Sequence, residues 1–218
     1  MAYPQLVSTQ AGTQAAGTQA GTDVLSLHPG RTVGLVGPAG FGLTRLGLTM
    51  LATPSRRGPV AFVDVRGWLC PMAAWESGID PERLVVVRCS DPVTWGRVVT
   101  ALLEGLQAVY AEVPPHIKET QLRTLAATVR SRQRSLVVRP VRGALPAGMA
   151  HLLLEARQVR WEGPDGGSGR LGRRRMVLAA SGKAMRGMER TIEVEDDGTH
   201  AVRLVSGLGV APTGIATG

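Results

Sequence analysis

The chain has 218 residues, enough for one domain with a full hydrophobic core. Its net charge is +8 with a pI near 10.9, and the excess is almost wholly arginine, since Lys118 and Lys183 are the only lysines. Such a balance is compatible with nucleic acid, with an acidic partner, or with a merely solvated basic surface. No apolar run reaches the length of a membrane span, so no membrane partner is expected.

The opening residues lack the basic and apolar regions of a signal peptide, and a cytoplasmic location is expected. Cys70 and Cys89 have no metal or redox spacing and are read as reduced and structural. His28, His116, His151 and His200 form no ligand cluster, so no metal is expected.

Residues 1–22 include STQAGTQAAGTQAGT, an imperfect repeat without hydrophobic periodicity. It cannot bury enough apolar surface to offset the entropy of ordering, and is expected to be a flexible arm. Residues 207–218 share its Gly/Ala/Pro/Thr bias and are expected to form a flexible tail. The folded core is expected over 23–206.

Within that core, strands and helices alternate. Strands are predicted at Thr32–Val36, Pro59–Asp64, Leu84–Arg88, Gln107–Glu112 and Leu136–Arg139. Helices are predicted at Leu43–Leu51, Pro71–Ser77 with Gly78 as its cap, Pro92 to about Leu106 capped by Asp91, and Ile117–Arg132. This alternation means a mostly parallel sheet with helices on both faces, an α/β fold. The last third changes character. Leu152–Trp161 reads as a long strand, Gly163–Arg173 as a Gly-rich basic loop and Arg174–Ala180 as a returning strand. Thr191–Glu195 and His200–Val205 flank a hairpin turn, Asp196-Asp197-Gly198-Thr199. These are expected to be antiparallel strands added to the parallel sheet.

The turn after the first strand is Gly37-Pro38-Ala39-Gly40-Phe41-Gly42-Leu43-Thr44. It follows the phosphate-binding pattern G-x-x-x-x-G-K-[ST] at both end glycines and at the hydroxyl, but Leu43 stands in the lysine position. Gly37, Gly40, Gly42 and Thr44 retain the elements of an anion nest at a helix N-terminus. Leucine removes the positive charge that would meet the β- and γ-phosphates. Arg45 is one residue on, rotated by about 100°, and is a poor substitute.

The order of elements over roughly Asp23 to Ser206 resembles the RecA-like core of bacterial recombinases. The strongest local match is Ala61–Arg88, with Asp64 ending its strand, Leu69-Cys70-Pro71 before a short helix, and Gly78-Ile79-Asp80-Pro81-Glu82-Arg83-Leu84 turning into the next strand. The resemblance aligns Arg66 with the glutamate that would activate water, and a cation cannot be that base. It aligns Glu112 with the Walker B acid, where a longer side chain than aspartate could still reach a metal through water. The segments Val113–His116 and Pro140–Gly148 are short for the mobile DNA loops of a recombinase. A chain lacking both lysine and glutamate is expected not to hydrolyse ATP. No cofactor is expected, and Gly37, Gly40, Gly42, Thr44 and Glu112 are read as a vestigial nucleotide site.

A reduced core of this kind resembles the ImuA and SulA group, and the arginine-rich, lysine-poor composition fits the actinobacterial ImuA-type variant best. That resemblance implies a non-catalytic accessory subunit in damage-induced translesion synthesis and mutagenesis. Its partners would be an ImuB-like inactive Y-family polymerase protein and an error-prone C-family polymerase. The SulA side implies a division inhibitor binding FtsZ. A residual ATP-binding DNA repair protein is the third reading. Arg170, Arg173, Arg174 and Arg175 form the densest basic stretch, on a loop expected to be mobile, and are candidates for contact with DNA or a partner. Trp68, Trp75 and Trp95 are read as core, and Trp161 as the one tryptophan to test for base stacking.

Overall fold

The computed structural model describes residues 24–163, 172–198 and 202–210. Most of the expected arm and tail, Arg170 and His200 lie outside the described residues. In chain order the elements are β1 (Arg31–Val36), α1 (Leu43–Ser55), β2 (Val60–Asp64), α2 (Pro71–Glu76), β3 (Leu84–Arg88), α3 (Pro92–Gly105), β4 (Ala108–Val113), α4 (Glu119–Ser131), β5 (Ser135–Pro140), β6 (Leu152–Glu162), β7 (Arg173–Ser181), β8 (Arg190–Asp196) and β9 (Arg203–Val210).

The strands form one sheet in the order β3-β2-β4-β5-β1-β6-β7-β8-β9. Neighbours from β3 to β6 pair in parallel, and those from β6 to β9 pair antiparallel. The period-two alternation of strand side chains divides the interior into two cores. Leu35, Phe62 and Tyr110 face α1, whose Leu46 and Met50 pack on them. Val63, Val109 and Ala111 face the other way, against Trp95 and Val99 of α3 and Leu125 and Val129 of α4. Strands β2 and β4 are buried along their whole length, as central parallel strands covered on both faces must be. The first core continues under the antiparallel strands through Leu154, Met176, Leu178, Ile192 and Val194.

Local chemistry accounts for the helix ends. The Asp91 carboxylate accepts from the backbone N–H groups of Val93 (3.3 Å) and Thr94 (2.9 Å), with Pro92 opening α3. Gly78 follows α2 at φ 89, a conformation that suits a residue without Cβ. Helix α1 runs past the expected Leu51 to Ser55, with Pro54 in its last turn. Proline there removes only one backbone bond, and the helix ends directly after it. The last strand runs to Val210, beyond the 206 boundary expected from composition.

The register of β6 on β7 shifts between Ala156 and Gln158, a bulge at Arg157. Before it, Leu152, Leu154 and Ala156 point into the first core. After it, Val159 stands opposite Met176 and Trp161 opposite Arg174.

Helix α1 lies close on the sheet at Gly47. A Cβ there would sit 2.5 Å from the buried Tyr110 ring and 3.1 Å from Leu35. Gly47→Ala is therefore expected to cost about 1–3 kcal/mol by overpacking, despite alanine's better helix propensity. At Gly96 in α3 a Cβ would meet only the amide end of Gln121, which can swing aside. Gly96→Ala should leave stability unchanged or raise it by up to about 1 kcal/mol. Thermal melts of the two variants check the contrast, and equal effects would mean that α1 does not approach the sheet so closely.

Candidate functional site

The loop between β1 and α1 has the shape its glycines allow. Gly40 (φ 83) and Gly42 (φ 80) are left-handed, and Gly42 is the N-cap of α1 with no side-chain cap. Leu43 is fully buried in the first core. The lysine position has thus become a packing position. A Cβ at Gly37 would lie 2.8 Å from Ala156 and 3.1 Å from Leu43, so the loop is also pressed onto β6.

Glu112, next to the end of β4, is almost fully buried. One carboxylate oxygen accepts from Nε (2.9 Å) and a terminal nitrogen of Arg66. The other accepts from the backbone N–H groups of Val65 (3.1 Å) and Arg66 (3.3 Å). The Glu112 carbonyl accepts from the Trp95 indole at 2.7 Å. Asp64, equally buried, folds the turn after β2 by accepting from the backbone of Gly67 (2.8 Å), Trp68 (3.2 Å) and Leu69 (3.1 Å). Both acids are occupied by the protein itself.

Arginines from distant parts of the sheet converge on the loop. Arg139, in β5, donates to the Thr44 hydroxyl at 2.6 Å. The Tyr110 phenol lies beside this pair, and its burial pushes its pKa up to about 12, so it stays protonated. Arg174, in β7, packs its guanidinium on Gly42, where a Cβ would overlap it. It also pairs with Asp196 and lies 5.1 Å from the Trp161 ring centroid. Arg45 reaches Asp196 at 2.9 Å and Glu76 at 2.8 Å. Asp196 therefore joins α1 to β7 from the end of β8. The cleft left between these groups measures about 330 Å³.

Three of the four arginines expected on a mobile basic loop are described, and they stand on β7. Arg173 and Arg175 lie on the opposite face from Arg174. Around the buried Glu195 gather Arg173 (3.6 Å), Arg175 (3.2 Å) and Arg203, and Glu162 lies 3.2 Å from Arg175. The Arg203 hydrogen bond, opposed by burial and reinforced by Arg173 and Arg175, holds the Glu195 carboxyl below its usual range. These arginines are fixed on a strand and partly neutralised by carboxylates. Of the tryptophans only Trp95 is core. Trp68 is 73% exposed, Trp75 48% and Trp161 47%, which corrects the expectation for the first two.

The positions at which a magnesium–nucleotide site would need free ligands do not fit one. The Thr44 hydroxyl is taken by Arg139, both Glu112 oxygens by Arg66 and the backbone, and the lysine position is apolar. Among the described residues no group of three or more His, Cys, Asp or Glu side chains could hold a metal ion. No helix among them is long and apolar enough to cross a membrane. Periodicity missed Arg139 and the inward turn of Arg174. The available signal was a cation closing an otherwise apolar strand, Ser135-Leu136-Val137-Val138-Arg139.

Sheet order, glycine loop and the residues around it define a RecA-like P-loop fold whose phosphate-binding positions are held by internal arginine contacts. The chain belongs to the family of the MT3502 N-terminal domain, whose model matches residues 24–147. Strands β6 to β9 lie beyond that match. In fold the chain is similar to the crystal structure of the RadB recombinase, with a TM-score of 0.57 and 17% identity over 83% of this chain and 93% of that one. No curated protein matches the sequence.

The Arg66–Glu112 pair has a direct energetic test. Arg66→Ala leaves a buried carboxylate without its cation and should cost about 2–4 kcal/mol. The value falls below that for a fully buried pair because the Arg66 side chain is 17% exposed. Adding Glu112→Gln should recover part of the loss, since a neutral amide needs no counter-charge. Urea denaturation of the two single variants and the double variant measures the coupling. A single Arg66→Ala variant as stable as the parent would show the carboxylate to be hydrated.

Proposed function

We propose that this chain is a non-catalytic RecA-like accessory subunit of damage-induced translesion DNA synthesis. In this reading it docks on an ImuB-like inactive Y-family polymerase protein that works beside an error-prone C-family polymerase. The observation that carries the proposal is the occupation of Glu112 by Arg66. The acid that would serve a metal is neutralised, and a cation stands where water would be activated. Leu43 removes the remaining charge from the phosphate loop. A P-loop fold without that chemistry is left with surfaces.

One surface supports protein docking. Trp68, which lines the cleft, and Met72 (58% exposed) and Trp75 of the short helix α2 that follows present apolar side chains to solvent. Clusters of exposed large apolar groups are characteristic of interaction sites, and tryptophan is favoured at their energetic centres. Phosphate contact by Arg173, Arg174 and Arg175 is less well supported, since each has a carboxylate partner.

With magnesium and single-stranded DNA, ATP turnover should stay at background. It should remain there in Leu43→Lys, because Arg66 still holds Glu112. DNA-stimulated turnover lost in Thr44→Ala would instead establish a residual ATPase. Affinity capture with an ImuB-like protein and with FtsZ separates the mutagenesis reading from a SulA-type division inhibitor. Capture of the ImuB-like protein, weakened about 30-fold by Trp68→Ala with Trp75→Ala, is the expected result. Capture of FtsZ alone overturns it.

A further inference from the structure

Four arginines line the cleft beside the glycine loop, Arg45, Arg66, Arg139 and Arg174, and Glu112 is the one carboxylate among its described lining residues. Arg45 reaches Glu76 and Asp196, Arg66 reaches Glu112, and Arg174 shares Asp196. Arg139 differs. It is 7% exposed, and its Nη1 donates to the Thr44 hydroxyl at 2.6 Å. The Tyr110 phenol beside it is neutral. Glu112 stands opposite Arg139 in the register of β4 on β5. One oxygen of that carboxylate is taken by Arg66, however, and the other by two backbone N–H groups. Among the described residues Arg139 is thus the cation of the cleft without a carboxylate partner.

A guanidinium buried among neutral hydroxyls has lost its water without gaining a counter-charge. That cost is incurred when the chain folds. An anion entering the cleft meets a cation that is already desolvated, and it has only its own hydration to give up. A nucleotide polyphosphate fits poorly, because it brings several negative charges to one cation, with neither a lysine nor a free metal ligand to meet the rest. A carboxylate brings one charge, and its two oxygens suit the planar donors of arginine. The cleft holds about 330 Å³, and Trp68, Leu69 and Ala73 give it an apolar wall.

We propose that the cleft receives an aspartate or glutamate side chain of a protein partner, which pairs with Arg139 beside Thr44 while apolar residues next to it lie on Trp68 and Leu69. This names the chemistry of the partner segment that docks on the exposed tryptophan. It rests on the docking part of the function proposed above, and not on the partner being ImuB-like.

Random-sequence peptides displayed on phage would be selected on the full-length protein without magnesium, in about 0.5 M salt, where attraction between exposed charges is screened. Enriched peptides would then be synthesised in acid form and with each Asp→Asn or Glu→Gln change, and their binding measured by calorimetry. Amidation at one acid should weaken binding about tenfold or more. Arg139→Met should weaken the acid form by a similar factor and leave the amide form unchanged, because the two changes remove one interaction. The variant should fold, since it removes a buried cation without a counter-ion. Were it not to fold, the effect of amidation on the unmodified protein decides. Peptides that tolerate amidation at every acid overturn the proposal, as does a folded Arg139→Met variant that still prefers the acid form. Metal-free pyrophosphate or oligothymidylate that displaces such a peptide at a lower concentration also overturns it, in favour of a phosphate site. Capture of the ImuB-like protein undiminished by Arg139→Met removes this proposal and leaves the accessory-subunit reading. Acid-dependent peptide binding without capture of that protein does the opposite.

Discussion

A carboxylate buried in a protein interior needs a cation, or it must give up its charge. Glu112 is such a group, and Arg66 meets the need. The arrangement around the glycine loop depends on that pairing. The turn after β2 must bring Arg66 back over the end of β4, and Asp64 shapes that turn by accepting three backbone N–H groups. The same turn carries Trp68 out into solvent. One turn thus brings a cation onto the buried Glu112 and leaves an aromatic residue exposed beside it.

The second constraint is the shared carboxylate of Asp196. It pairs with Arg45 of α1 and with Arg174 of β7, so the antiparallel end of the sheet is tied to the first turn of the P-loop helix. Arg174 lies directly on Gly42, and only a residue without Cβ leaves it room. In a nucleotide-binding P-loop the helix N-terminus is open to phosphate. Here an internal guanidinium rests on it. Arg174 thus brings a positive charge to the loop from another part of the fold, in a place where it also fastens two parts of the sheet together.

Much of the fold was legible in the sequence because apolar runs of five or six residues between glycine and proline breaks have few readings. Val60–Asp64 and Ala108–Val113 show this. The resemblance marked Arg66 as a cation in the glutamate position, but its pairing with Glu112 was not legible. Arg139 and Arg174 were not, because their meeting at Thr44 and Gly42 depends on sheet register across about a hundred residues, and periodicity carries no such information. Trp68 and Trp75 were misread as core for a related reason. Their exposure follows from the turn that Asp64 imposes and from the short length of α2, which buries only Ala74.

The bulge at Arg157 gives the far end of β6 a different reading frame from its beginning. Counted in twos from Leu152, Leu154 and Ala156, the side chains facing α1 would continue as Gln158, Arg160 and Glu162. The extra residue moves the count by one and delivers Val159 and Trp161 instead. Pulling the bulge straight with every residue kept would therefore act as a frameshift in space without changing the chemistry of any residue. It would set Arg160 against Arg174, take the indole away from the loop, and put Trp161 on the face where Glu195 gathers its arginines. Deleting residue 157 itself would do the reverse, leaving Val159 opposite Met176 and Trp161 opposite Arg174 on a strand that no longer bulges.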